Sequence, residues 1–375
     1  MKEIIVTKNE SGYKLKKLCM NYLNAAPASF IHKMLRKKNI VLNDKKADGN
    51  EVLKAGDSVK FYMRDETIEG FQKGNLDDIL NSSKTDNSKK TGNTGKTDKS
   101  KTDKSKTDKK VGNKANKLDL LNSKLDIVYE DEDFIFCNKP VNVLSQKAKA
   151  DDVSINEMIL KYLLDSGSVT EESLKVFRPS VCNRLDRNTS GIILAAKTPD
   201  GARYLSEQIK NRTVKKLYLA IVSGKTDIHG YFKAYLSKDR KTNKVTITDT
   251  QLPGSDLIET KVEKVAYQKD ADVTLLSIEL ITGKSHQIRA HLASLGIPII
   301  GDIKYGNKKI NDTFRTKYKV NNQALSAYKV IFPGSNTDDK AEEREPKAGQ
   351  SVAGKEYIAK PDKTFYRLFD IDNLV

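Results

Sequence analysis

Cysteine is scarce in this 375-residue chain: Cys19, Cys137 and Cys182 are an odd number with no C-x-x-C spacing. That excludes a disulfide framework and a cysteine zinc cage and suits a reducing compartment, so a cytoplasmic protein is expected. Cys182 is expected to be a small buried side chain rather than a reactive thiol. No apolar run approaches the roughly 20 residues that cross a bilayer. The start, Met1 to Thr7, lacks the long apolar centre of a signal peptide, and no membrane is expected as partner. A nucleotide-binding glycine loop is missing, and His286 and His291, five apart on one helix, diverge with no third ligand nearby in sequence. Neither cofactor nor metal is therefore expected.

Charge is what the chain has in excess. Lys and Arg number 67 against 50 acidic residues, a net charge of +17 that makes a polyanion a plausible partner without specifying one. Between Ser82 and Lys117 there are 12 Lys against 4 Asp, so about half of the excess lies in a segment whose only apolar residues are Val111 and Ala115. Three near-identical pentamers, Lys96–Ser100, Lys101–Ser105 and Lys106–Lys110, fall within it. Residues 80–118 are expected to be a disordered lysine-rich linker spanning on the order of 30 to 40 Å. It divides a small module, 1–79, from a large domain, 119–375.

In the small module, residues 1–8 have the pattern of a strand, and Leu15, Leu18, Cys19, Tyr22 and Leu23 have helical spacing. A second helix opens at Ala28 with Ser29 as a possible cap; Phe30, Ile31, Met34 and Leu35 cover one face, and Lys33, Arg36, Lys37 and Lys38 the other. Ile40–Leu42 and Ser58–Met63 are predicted strands.

In the large domain, Arg184-Leu185-Asp186-Arg187 places one carboxylate between two guanidinium groups, just before the turn Thr189-Ser190-Gly191 and the apolar run Ile192–Ala196. Nearby positive charge favours an ionised carboxylate, as a nucleophile or general base requires. A bare Arg-x-Asp-Arg is more often a surface ion pair closing a turn.

The longer segment, Arg184 to Gly191, resembles the catalytic motif of the RluA-type family of RNA pseudouridine synthases, with Asn183 where that family usually has His. Several further stretches carry the resemblance from Leu125 to Pro361. The acidic turn Glu130–Asp133 leads into an apolar strand ending in Asn138-Lys139-Pro140, where Lys139 is either a phosphate contact or a solvated strand end. Thr282-Gly283-Lys284-Ser285-His286-Gln287-Ile288-Arg289 is similar to a second motif, with Ser285 able to cap the following helix. Ile297–Asp302 and Tyr305-Gly306 continue the pattern, and Ser326 stands where the family often has His.

The resemblance implies isomerisation of uridine to pseudouridine in structured RNA, most of all large-subunit ribosomal RNA. It implies Asp186 as essential carboxylate, Arg289 paired with it, and Tyr218 as active-site tyrosine, although an aromatic at Tyr218 is otherwise ordinary core. Arg184, Arg187 and His286 are candidate RNA contacts. The order of elements from Ser11 to Met63 resembles the S-four-like RNA-binding domain, which adds Lys33, Arg36 and Lys37 as phosphate contacts. The fold expected is α+β: a pseudouridine synthase fold with a mixed, largely antiparallel sheet, plus a small N-terminal α+β RNA-binding domain, acting as a monomer. Two alternatives stay open, a non-catalytic RNA-binding or ribosome-assembly factor and a glycosidic-bond hydrolase. The second normally needs two facing carboxylates, and the motif contains one.

Overall fold

The computed structural model describes residues 1–7, 10–72, 119–149, 152–239, 242–334 and 348–375. The lysine-rich linker lies outside the described residues. By contact the chain divides into two units, Met1–Lys124 with Glu157–Ser180, and Leu125–Asn156 with Val181–Val375.

In the first unit, strand β1 (Lys2–Ile5), helices α1 (Leu15–Tyr22) and α2 (Ala28–Arg36), strands β2 (Ile40–Leu42), β3 (Lys45–Lys46) and β4 (Ser58–Phe61), and helix α3 (Asp65–Phe71) follow in order. The strands form one antiparallel sheet in the order β1-β4-β2-β3. Leu15, Leu18, Cys19, Tyr22 and Leu23 are all buried, because their 3-4 spacing puts them on the helical face that meets Ile31, Leu35 and Phe61. Helix α2 starts two residues earlier than a Ser29 cap would allow. Pro27 occupies the cap position, its fixed φ suiting a helix start, and Ser29 lies inside the first turn. The stretch Glu157–Ser180 differs from the continuous 119–375 domain expected from sequence. It carries most of α4 (Ile155–Asp165) and all of α5 (Glu171–Val176), and Val176 packs into the first unit's core while its carbonyl accepts from Asn21 Nδ2 at 3.0 Å.

The second unit is built on one large sheet. Strands β5 (Ile127–Glu130) and β6 (Phe134–Lys139) make an acidic-turned hairpin, and β7 (Ser180–Val181) and β8 (Ser190–Ala196) flank the segment of Asp186. Helix α6 (Pro199–Lys210) begins at Thr198, whose hydroxyl accepts from Gly201 N. Then come β9 (Lys215–Ser223), β10 (Gly230–Lys238), β11 (Val245–Thr248), β12 (Asp256–Gln268) and β13 (Val273–Leu280). Helices α7 (Gln287–Ser294) and α8 (Lys308–Tyr318), strands β14 (Leu325–Ile331) and β15 (Glu356–Ile358), and helix α9 (Lys363–Tyr366) complete it. The strand order is β11-β10-β12-β13-β9-β14-β8-β6-β5, with β15 on β14 and β7 on β8. Only the β14–β8 pairing is parallel among those described, so the sheet is mixed and largely antiparallel.

That parallel seam is where the chain closes tightly. All seven residues of β8 are buried, and Gly191, at φ +115°, lies so near Ala327 of β14 that a Cβ would fall on its backbone. Ser190 Oγ donates to Ser326 Oγ at 3.0 Å across the seam, which accounts for a small hydroxyl at Ser326. Tyr218 of β9, the end of β13 and the start of α7 line a recess beside it, and Asp186 sits in the loop entering β8.

Candidate active site

The loop between β7 and β8 is held by its own Asn183 and by side chains distant in sequence, Ser145 and Gln323. Ser145 Oγ donates to the Leu185 carbonyl at 2.8 Å and accepts from Leu185 N at 2.9 Å. Asn183 accepts from Leu194 N and donates to the Ile192 carbonyl, so at this position the amide stitches the loop to β8. Thr189 N closes a turn on the Asp186 carbonyl at 3.0 Å, and Gln323 Nε2 donates to Thr189 Oγ1. The outcome is a fixed backbone from which the Asp186 side chain, 27% exposed, reaches a cleft.

Arg289 supplies the opposite charge. Its helix α7 begins with His286 in the left-handed conformation, φ +56°, rather than with a Ser285 cap. No side chain caps this helix; Gln287 instead ties its first residue to the preceding loop and to β12. Gln287 accepts from Thr282 Oγ1 and Lys284 N, and donates to Glu259 O and Thr260 Oγ1. With the start of α7 fixed, Arg289 is 8% exposed rather than solvated, and Nη1 donates to Asp186 Oδ2 at 2.7 Å. Its Nε and Nη2 go to Asp302 Oδ2 and Oδ1 at 2.7 and 2.9 Å. Burial works against the arginine charge, but the bonds and charge of Asp302, then of Asp186, outweigh it and hold the guanidinium above its ordinary value. Asp302 likewise loses by burial and gains more from Arg289, which keeps its carboxyl below the ordinary carboxylate value. Tyr305 lies under the guanidinium at 5.3 Å from ring centroid to Cζ.

Arg184 and Arg187, expected to bracket Asp186, are exposed and face the cleft; the ion pair to Asp186 comes from Arg289. A side chain next in sequence leaves a loop on a different bearing, whereas α7 approaches from across the cleft. Lys139 is also unlike either expectation. It is fully buried, and its ammonium donates to the carbonyls of Pro140, Val143 and Arg187 at 2.9, 2.8 and 3.1 Å. Burial pulls it from an ordinary 10.5 down to about 7, with the Asp186 charge acting the other way.

The cleft has a volume of about 670 Å³ and is lined by Asp186, Arg184, Arg187, His286, Lys284 and Lys304, among others. A recess of about 60 Å³ continues past Asp186 and Arg289 to Tyr218, Leu280, Ile288 and Leu325. Tyr218, 6% exposed, presents its ring there. Burial first, and the Asp186 charge second, raise its phenol well above the ordinary value, so it stays protonated at neutral pH. His286 Nδ1 is 2.8 Å from Tyr305 Oη, and burial lowers the imidazole from its ordinary value, the Asp186 charge acting against that and Arg289 and Lys304 with it. His291, on the same helix, turns instead toward β12 and pairs with Thr260 Oγ1. Lys33, Arg36 and Lys37 lie in the first unit, exposed on the last turn of α2 and its C-cap, with Lys33 and Arg36 beside a surface cleft of about 640 Å³.

An arginine-held carboxylate, an unionised tyrosine and a cationic rim describe a site for an anionic polymer with an aromatic group to bury. The chain is 30% identical over 337 residues to an RNA pseudouridine synthase of Mycoplasma genitalium, covering 89% of this chain and 90% of that one. It belongs to the RluA-type family of RNA pseudouridine synthases. Residues 133–294 of this pseudouridine synthase match the RNA pseudouridylate synthase family, a span that contains Asp186, Tyr218 and Arg289. The chain is also 27% identical over 339 residues to ribosomal large subunit pseudouridine synthase C of Buchnera aphidicola, covering 87% of this chain and 88% of that one. To ribosomal large subunit pseudouridine synthase D of Borreliella burgdorferi it is 30% identical over 199 residues, 52% of this chain and 59% of that one. Pseudouridine synthases isomerise: the bond from ribose C1′ to N1 breaks, one from C1′ to C5 forms, C5 loses a proton and N1 gains one. Electrons balance without a redox partner.

Among the residues that bear on this site, sequence reading missed Asp302 and Tyr305 as partners of Arg289 and His286. Their only signal was membership of the Gly301-Asp302 and Tyr305-Gly306 pattern.

Proposed function

We propose that this pseudouridine synthase modifies specific uridines of large-subunit ribosomal RNA, with Asp186 as the essential carboxylate. The observation that carries the reading is the 2.7 Å bond from Arg289 Nη1 to Asp186 Oδ2 at the mouth of a recess containing Tyr218. The names of the relatives from Buchnera aphidicola and Borreliella burgdorferi support the choice of RNA.

A uracil inside a helix is out of reach, so the target nucleotide is extruded into the cleft. Arg184, Arg187 and Lys284 on the rim suit flanking phosphates, and Tyr218 suits stacking against the extruded base. Asp186 then either attacks C1′ or takes a proton from the ribose. Tyr218 enters as a phenol. If Asp186 becomes esterified, its charge disappears, and with it the second of the two causes that raise the phenol, which suits Tyr218 to removing the C5 proton in the later half of the reaction. His286, lowered by burial, is suited to hydrogen bonding with RNA more than to pairing with phosphate. The first unit, through Lys33, Arg36 and Lys37, adds phosphate contacts in the manner of an S-four-like domain.

The test is a map of pseudouridines in total RNA from cells with and without the gene. Loss of one or a few sites in large-subunit ribosomal RNA is expected; loss confined to transfer RNA would overturn the choice of substrate.

A further inference from the structure

Arg289 divides its donors unequally. A guanidinium pairs best with a carboxylate through two parallel N–H bonds, and here that fork is given to Asp302, while Asp186 receives one bond, to Oδ2. We propose that Asp302 is a positioning residue for the reaction: by holding Nε and Nη2 it limits Arg289 to single-point contact and leaves Asp186 Oδ1 for the ribose. The inference rests on the reading of Asp186 as the reacting carboxylate.

Asp302 is the fixed member of the pair. Its Oδ1 also accepts from Lys304 N and Tyr305 N at 2.8 and 3.1 Å, and its carbonyl accepts from Asn311 Nδ2 and Gly306 N, both at 2.9 Å. Asn311 in turn takes Gly301 N at 2.7 Å. The Asp302 side chain is 1% exposed, so a guanidinium that left it would abandon a buried, uncompensated carboxylate. Arg289 is thereby prevented from turning its fork on Asp186. A carboxylate forked by arginine has a lone pair of each oxygen committed, which weakens it both as nucleophile and as base. Two carboxylates sharing one guanidinium also leave the group of three with a net negative charge, carried at the solvent-facing end by Asp186. A purely structural counterion would need only the charge of Asp302. A positioning residue needs its place as well, and this separates the two roles.

The experiment compares wild type with Asp302→Asn and Asp302→Glu by single-turnover tritium release from RNA labelled at uridine C5, alongside RNA affinity. Asn keeps the shape and loses the charge; Glu keeps the charge, which favours folding, but displaces the carboxylate by one methylene. Each is expected to lose about 100-fold in rate with RNA Kd held within about threefold. A crystal structure of either variant is expected to show Arg289 bonded to both oxygens of Asp186. Wild-type turnover in the Glu variant, or an Arg289 that stays singly bonded in a slow variant, overturns the proposal. A wild-type protein that binds RNA and releases no tritium would instead sink the reading of Asp186, whatever Arg289 does in the crystals.

Discussion

Lys139 carries its ammonium into a fully buried place and answers it with three carbonyls, one of them belonging to Arg187 beside Asp186. Its folded value of about 7 lies below the roughly 10.4 of an unfolded lysine. Between those values the unfolded chain binds more protons, so this group adds stability as pH rises and withdraws it as pH falls toward 7. Wild type should therefore gain about 1 to 2 kcal/mol on Lys139→Met between about pH 7 and pH 8.5 in urea unfolding, and parallel curves would contradict this. The Met variant should be the less stable at both, by about 2 to 4 kcal/mol, because three buried carbonyls lose their donor. None of this was legible in Asn138-Lys139-Pro140, since a lysine at a strand end is ordinarily wet. The same limit applies to Asp186. Sequence pointed to the carboxylate but supplied neighbouring arginines as its partners, and the pairing with Arg289 came from family resemblance, because contacts across 103 residues leave no local pattern.

At the scale of elements, periodicity sufficed for most of the chain. The helical spacing of α1, the continuous apolar run of β8, and the acidic turn before β6 all appear where the residues place them. Helix starts were less legible. Ser29 and Ser285 are good caps by type, but Pro27 and the left-handed His286 take those positions, for reasons of backbone geometry and of Gln287's four hydrogen bonds. The parallel pairing of β8 with β14 joins segments more than a hundred residues apart and has no sequence signature beyond the glycine that permits it. Gly191→Ala should force that seam open, costing more than about 3 kcal/mol and the activity with it. Thermal unfolding compared with Ala195→Gly, elsewhere on β8, checks that the effect is local; equal losses would count against a special role for the seam.

For the molecule as a whole, charge is the property that composition conveyed best. The excess of +17 is spread over the lysine-rich linker, helix α2 and the cleft rim, three places with separate consequences. Replacing Lys33, Arg36 and Lys37 with Gln should weaken RNA binding and lower the slope of log affinity against log salt by about 2, while the rate constant at saturating RNA stays within about threefold. An unchanged slope would remove α2 from the RNA interface. Most directly, Asp186→Asn and wild type can be compared for tritium release from uridine-labelled ribosomal RNA under single turnover. Release by wild type, none by the variant and similar RNA affinity for both is the expected result; comparable release by the two would contradict the assignment of Asp186.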